Sequence, residues 1–172
     1  MNRYRSGRVH PRLVVFFAII VAPVAWLTYT LISFSATGGV QRADGVVEVD
    51  LRALGHITFN NMSGTLADIP ARYRALEGKR VLLTGYMVSP ETPGEKIRKF
   101  EFLYDRNIGA FGGLPTVPDR VLGTCLGQNT VLYEYGPLMK LTGVFHLKIN
   151  RDPKSGRIVS IYQLDVEDVE RA

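Results

Sequence analysis

The sequence predicts a mainly β protein, in which one small, strongly curved antiparallel barrel follows a single N-terminal transmembrane helix. Three observations predict this fold class. An apolar stretch near the N-terminus is long enough to cross a bilayer, residues 46–166 fall into short β-type runs broken by glycine and proline, and two of those runs share a glycine at the same place. The 172 residues leave room for one ordinary domain beside the N-terminal segment.

The stretch from Leu13 to Phe34 contains no charged residue over 22 positions. As a helix it would be about 33 Å long, against a hydrocarbon core of about 30 Å. Pro23 lies in its middle, a position that membrane helices tolerate. Four arginines precede the stretch and the first charge after it is Arg42, so the positive-inside rule places the N-terminus in the cytoplasm. The predicted organisation is a basic cytoplasmic tail (1–12), a transmembrane helix (13–34), a linker (35–45) and a β domain on the far side of the membrane (46–172).

A cleaved signal peptide is the alternative interpretation of the same stretch. The small-residue pattern Ser33-Phe34-Ser35 offers a cleavage site. Signal peptides, however, have an apolar region of about 7 to 15 residues, which is shorter than the run observed. The length therefore favours an uncleaved anchor.

The β domain begins with runs rich in β-branched and aromatic residues, and each run is predicted as a strand. The run Leu138–Ile149 alternates apolar and polar side chains, as a half-buried strand does. A turn-forming segment (150–156) and a second alternating run follow it, so these last two strands are predicted to form a hairpin. The predicted strands are Val46–Leu51, His56–Phe59, Arg80–Val88, Ile97–Tyr104, Arg120–Leu126, Leu138–Ile149 and Arg157–Val166.

One short helix is predicted between the second and third runs. Thr65 and Asp68 have the spacing of a capping box, and Pro70 suits a first helical turn. Gly78 is a stop signal. The helix is expected from Ile69 to Leu76, packed beneath the sheet through Ile69, Tyr73 and Leu76.

The tripeptide Leu-Thr-Gly occurs in two of the predicted strands, ending at Gly85 and at Gly143. A glycine inside a strand marks a bulge or a sharp bend, by which small sheets curl into barrels. Two bent strands among five to seven, with one short helix, predict an oligonucleotide/oligosaccharide-binding-like (OB-like) barrel.

The chain from Asp50 to Val166 resembles a bacterial envelope family known as domain of unknown function 3299. The segments that carry the resemblance are Asp68–Ala71, Leu76–Met87, Leu141–Phe145 and Ile161–Leu164. The resemblance implies a small exported or anchored envelope protein with an accessory role beside an envelope transporter. Together with the predicted topology, this predicts an anchor in the inner membrane and a domain in the periplasm. Many members carry a cysteine and a histidine before a proline-rich central loop, whereas the segment 110–119 of this chain has neither.

Catalytic and metal-binding motifs were sought residue by residue, and none was identified. Cys125 is predicted to be a small buried hydrophobe, and His146 to be a solvated strand residue. The acids near the C-terminus, namely Asp165, Glu167, Asp168 and Glu170, are predicted to form a solvated, fraying end. No catalytic residue, metal ligand or cofactor is assigned. Seventeen basic against sixteen acidic residues from Arg42 onward give this part a charge of only +1, which argues against a nucleic-acid partner.

The long loop from Tyr104 to Arg120 is the candidate binding site. Loops of about 15 residues are uncommon in small domains and are often functional. The candidate residues are Arg106, Asn107, Phe111, Asp119 and Arg120. An exposed Phe111 between two arginines would suit a protein interface. The arginines could instead form salt bridges that staple the loop through Asp105 and Asp119, or a rim that captures an anionic group.

The function predicted from these observations is that of a noncatalytic binding or assembly module with a membrane or periplasmic protein partner. A small-ligand carrier with the layout of a haem chaperone is one alternative, although the His-x-x-x-Tyr motif is missing after His146. An envelope enzyme that acts through the loop 104–120 is the other.

Overall fold

The computed structural model describes residues 19–29, 39–43, 45–106 and 115–172. The chain divides into two compact units, residues 1–37 and residues 38–172. Residues 19–29 form helix α1, whose apolar side chains, such as Trp26 and Tyr29, are exposed. The predicted span 13–34 lies partly outside the described residues, and within those residues no helix has the length and apolar character needed to cross a membrane.

The described residues of the second unit form nine strands and a few short helical segments. The helices are α2 (Leu51–Gly55) and α3 (Ala71–Arg74), and the 3-10 turns are Leu66–Asp68 and Val117–Asp119. The strands are β1 (Val40–Ala43), β2 (Val46–Val49), β3 (Arg80–Val88), β4 (Lys96–Ile97), β5 (Lys99–Leu103), β6 (Arg120–Cys125), β7 (Val131–Leu132), β8 (Met139–Arg151) and β9 (Ile158–Arg171).

Seven strands form one sheet in the order β1-β2-β3-β5-β6-β9-β8, and a further pairing of β3 with β8 closes the last five into a ring. The short strands β4 and β7 pair separately. The prediction of a mainly β domain is confirmed. The sheet is not wholly antiparallel, because β2 lies parallel to β3, and β9 returns to lie parallel to β6.

The core of the domain fills the inside of this ring. Alternate residues of β3, β6 and β8 are buried, as the period-two pattern predicts. The largest fully buried side chains include Phe102, Phe145 and Tyr162, and the rings of Phe145 and Tyr162 pack with centroids 5.6 Å apart.

Gly143 lies where the register between β8 and β9 shifts, so the predicted bulge is confirmed. A β-carbon at Gly143 would overlap the carbonyl oxygen of Asp165 and stand 3.1 Å from Cα of Val166. Gly85 has a related but different role, since a β-carbon there would overlap the carbonyl oxygen of Leu103. Both glycines therefore allow the close approach of a neighbouring backbone.

The predicted helix is confirmed as a short one. The capping box of Thr65 and Asp68 is present, but it starts a 3-10 turn, and the α-helical part covers only Ala71–Arg74. Ile69, Tyr73 and Leu76 are buried as expected. The Tyr73 hydroxyl donates a hydrogen bond of 2.7 Å to the Ala53 carbonyl and so ties this region to α2.

Several predicted strand bounds differ from the structure; for example, the predicted run Ile97–Tyr104 is divided between β4 and β5. The predicted strand at residues 56–59 is absent. The preceding residues form α2, which the Asp50 carboxylate caps by accepting a hydrogen bond of 2.8 Å from the Arg52 amide, and the chain continues from α2 as a loop. Strand β1, which no predicted run covers, pairs antiparallel with β2. Strand β9 continues five residues beyond Val166, because β8 offers it a partner as far as Met139.

Candidate binding site

The predicted loop site is described at its two ends only. Asn107 and Phe111 lie outside the described residues, so their part in the prediction stays untested. Arg106 is described, and its Nη1 atom lies 3.8 Å from the position that a β-carbon would have at Gly136. This contact brings the start of the loop beside the segment that connects β6 to β8.

Arg120 and Asp119, at the other end of the loop, do not pair with each other. Arg120 forms a salt bridge of 2.9 Å with Glu101 of β5 and donates a hydrogen bond of 3.2 Å to the Pro115 carbonyl. Its Nε atom is buried and has no hydrogen-bond partner among the described residues. Asp119 accepts hydrogen bonds from the amide (2.7 Å) and the hydroxyl (2.6 Å) of Thr116. These contacts hold the end of the loop against β5.

An open cleft of about 560 Å³ lies at the end of the ring where β6 ends and β8 begins. The segment 126–138, which includes β7, forms one wall, and the end of β9 forms the other. The lining residues are Cys125, Gln128, Asn129, Thr130, Val131, Leu132, Glu134, Met139, Val166, Glu167, Asp168 and Val169.

The segment 126–138 carries exposed apolar side chains beside the cleft. Leu126, Leu132, Tyr135 and Leu138 are 50%, 51%, 64% and 41% exposed. The segment is held in place by the buried Tyr133, whose amide donates to the Glu95 carbonyl and whose carbonyl accepts from Gly94, both at 2.8 Å. Apolar side chains are thus displayed from an anchored backbone, an arrangement that favours an interaction surface.

Within the part of the chain that the structure describes, the cleft lining includes three carboxylates and no basic residue. Glu134 pairs with Arg171 (2.6 Å), and Glu167 pairs with Arg80 (2.6 Å). The prediction that the C-terminal acids form a fraying end is wrong, because they belong to β9 and its pairing with β8 fixes their backbone. The sequence did not predict a strand here, because these charged residues show no alternation of apolar and polar side chains.

Cys125 lies at the floor of the cleft and is 3% exposed, which confirms that it is buried. Burial raises the pKa of its thiol above the ordinary value, and the charge of Arg98 and a hydrogen bond from the Val131 amide offset this only in part. The group is therefore protonated at neutral pH and is a poor nucleophile.

A second polar cluster, which sequence reasoning missed, lies on the outside of the ring. His146 of β8 has a carboxylate at each ring nitrogen: Glu77 Oε1 is 2.9 Å from Nδ1, and Asp165 Oδ2 is 3.4 Å from Nε2. Glu77 also accepts a hydrogen bond of 2.6 Å from the Leu147 amide. The three residues are 19 or more positions apart. The pairing of β8 with β9 brings His146 and Asp165 together, and Glu77 joins them where the start of β3 meets β8. His146 is partly exposed, but it is paired rather than simply solvated.

The pKa of Glu77 is lowered overall. Partial burial raises the pKa. The hydrogen bonds from His146 and the Leu147 amide, together with the charge of His146, lower it by more than burial raises it. Because the folded-state pKa lies below the unfolded value, the resulting stabilisation is fully present above about pH 4.5 and is lost as the pH falls through the folded-state pKa.

Replacing Glu77 by glutamine should therefore destabilise the domain by no more than about 1 kcal/mol at pH 7, the range of exposed ion pairs. The difference from wild type should shrink as the pH is lowered from 5 to 3. Urea unfolding at several pH values measures it, and Glu48→Gln, at an exposed carboxylate of β2, is the matched control. A difference that grows toward acid pH would contradict the assignment.

Comparison with solved structures shows a similarity in fold. The chain is similar to the crystal structure of a DUF3299 family protein from Pseudomonas aeruginosa PAO1, with 15% sequence identity and a TM-score of 0.49; the match covers 73% of this chain and 95% of that one. No protein-family model matches the sequence, and no curated protein matches it.

Proposed function

We propose that this protein is a noncatalytic binding or assembly module, anchored in the inner membrane by residues 13–34, with its β domain in the periplasm. In this proposal it docks a membrane or periplasmic protein partner and is accessory to an envelope transporter complex. The observation that carries the proposal is the apolar surface of the segment 126–138 beside the cleft.

The fold supports a binding role in the following way. Five strands close into a ring, and β9 returns to lie beside β6. We propose that this ring is an OB-like barrel, a fold that binds ligands on its outer surface and its connecting loops. We further propose membership of the DUF3299 family, on the glycine-containing strand motifs that end at Gly85 and Gly143.

The docking surface has the composition of a protein interface rather than of a ligand cavity. Tyr135 and Leu132 are large, exposed and held on a backbone that the pairing of β4 with β7 fixes. Tyrosine is enriched among the residues that dominate binding energy. Large side chains such as Phe102, Phe145 and Tyr162 fill the inside of the ring, which favours docking at the surface over the carrier alternative.

The proposal predicts how the full chain behaves in a cell envelope. Tagged after Ala172, it should require detergent for extraction, its tag should be accessible only from outside the cytoplasm, and a protein should co-purify at fixed stoichiometry from mildly solubilised membranes. A soluble protein that begins near Ala36 would support the signal-peptide interpretation instead. A stoichiometric small cofactor without a protein partner would support the carrier and contradict the module.

A further inference from the structure

The end of β9 has one edge without a partner strand. Along residues 162–166 it pairs with β6 on one side and with β8 on the other, but beyond Val166 only β8 remains, as far as Arg171. The chain leaves β6 at Cys125, and Gly127, with φ +59°, turns it away toward the segment 126–138. Among the described residues, no backbone hydrogen bond outside the strand ladders reaches residues 167–170.

The direction of the backbone groups on this edge follows from the ladder with β8. The Ala172 amide donates to the Leu138 carbonyl at 3.0 Å, and the register is regular from Arg171 back to Asp168. Along an antiparallel strand, the backbone N–H and C=O groups of successive residues point alternately to the two sides of the strand. The backbone groups of Asp168 and Glu170 therefore hydrogen-bond to β8. The N–H and C=O groups of Val169 and Arg171 therefore point to the open side.

This open side faces the cleft. Val166, Glu167, Asp168 and Val169 line one wall, and Val131 and Leu132 line the opposite one. An unpaired strand edge is a template for an additional strand, and an extended peptide that adds to such an edge gains backbone hydrogen bonds while its side chains occupy flanking pockets. Val131 and Leu132 on the opposite wall would contact the apolar side chains of an added strand.

The charge at the open edge of β9 indicates which kind of peptide segment would bind there. The described residues of the lining include three carboxylates and no basic side chain, and Glu170 follows on the same strand. Glu167 pairs with Arg80, and Glu134 pairs with Arg171. Among the described residues, Asp168 and Glu170 form no ion pair. Lys140 lies opposite Glu170 in the register between β8 and β9. A second copy of this strand would bring like charges together, which is unfavourable. An extended segment with alternating basic and apolar residues is complementary.

We propose that the cleft binds an extended, basic segment of a partner protein by strand addition to residues 167–171 of β9. This inference rests on the proposed function and deepens it by naming the chemistry of the partner. The segment would hydrogen-bond to the Val169 and Arg171 backbone, place Lys or Arg beside Asp168 and Glu170, and direct apolar side chains toward Val131 and Leu132.

The test uses the full chain in detergent and eight-residue synthetic peptides in which lysine alternates with valine. The basic peptide should bind, as measured by fluorescence anisotropy, and should slow amide hydrogen exchange at Val169 and Arg171. A peptide with glutamate in place of lysine, or one N-methylated at alternate backbone positions, should bind at least about tenfold more weakly, which corresponds to about 1.4 kcal/mol. Equal binding of the N-methylated peptide would overturn strand addition.

Two variants complete the test. Val169→Pro removes an N–H that points to the open side, where proline is tolerated on an edge strand, and should weaken peptide binding, whereas Val169→Thr should not. The double variant Asp168→Lys with Glu170→Lys should reverse the preference in favour of the acidic peptide, and an unchanged preference would overturn the charge argument. If a protein partner docks at the segment 126–138 but no basic peptide binds, strand addition is wrong and the proposed function stands.

Discussion

Replacing Gly143 by valine is expected to destabilise the β domain by about 3 kcal/mol, at the upper end of the cost of overpacking a well-packed site. The physical reason is the backbone of β9, not the conformation of Gly143 itself. The bulge between Thr142 and Gly143 brings the Asp165 carbonyl against the Gly143 α-carbon, so even one β-carbon would have to push two central strands of the ring apart. Chemical denaturation followed by circular dichroism measures this loss.

The neighbouring Thr142 provides the matched control. It is only partly buried on the outer side of β8, where a β-branched residue is favourable, so Thr142→Val should stay within about 0.5 kcal/mol of wild type. Gly143→Ala should already cost a large part of the valine effect, because the first added carbon makes the contact. A Gly143→Val domain as stable as wild type would mean that β8 and β9 do not approach each other in this way.

The strands that the sequence predicted well are those with clear alternation. Arg80–Val88 was predicted with its observed bounds, and the buried face of β8 follows the predicted pattern because one side of each strand faces the core. The glycine of β8 was informative for a related reason: only a residue without a β-carbon can occupy a position where a backbone passes so closely. Alternation and glycine positions can be predicted from the sequence because each depends on the surroundings of a single strand.

The parts that could not be predicted depend on contacts between distant segments. The end of β9 is rich in acids and has no apolar period, so only its pairing with β8 makes it a strand. Helix α2 is five residues long, and its apolar residues Leu51 and Leu54 read equally well as part of a strand.

The candidate site shows the same limit. The predicted hairpin brings His146 and Asp165 onto neighbouring strands, but nothing in the sequence indicates that Glu77 also contacts the His146 ring. The apolar residues of the segment 126–138 are also unremarkable in sequence, because an exposed leucine and a buried one look alike until the burial is known. By contrast, the predicted site residues Asp119 and Arg120 are occupied in local contacts with Thr116 and Glu101.

A consequence for function is that Arg106, near the start of the loop 104–120, lies beside the segment 126–138. Arg106 approaches Gly136, so the start of the predicted site adjoins the apolar surface described above. Arginine is enriched at interfaces together with tyrosine. The docking surface proposed for the segment 126–138 would therefore also include Arg106.

The central claim, that the segment 126–138 docks a protein partner, is tested most directly by site-specific photo-crosslinking in intact membranes. A photoreactive amino acid at Leu132 should give one discrete adduct of higher mass, and Tyr135→Ser in the same chain should remove most of it, because exposed aromatic anchors contribute strongly to binding. The same probe at Val159, which is 43% exposed on β9 and outside the cleft lining, should give none. Equal labelling from both positions, or a discrete adduct that forms only at Val159, would contradict the account.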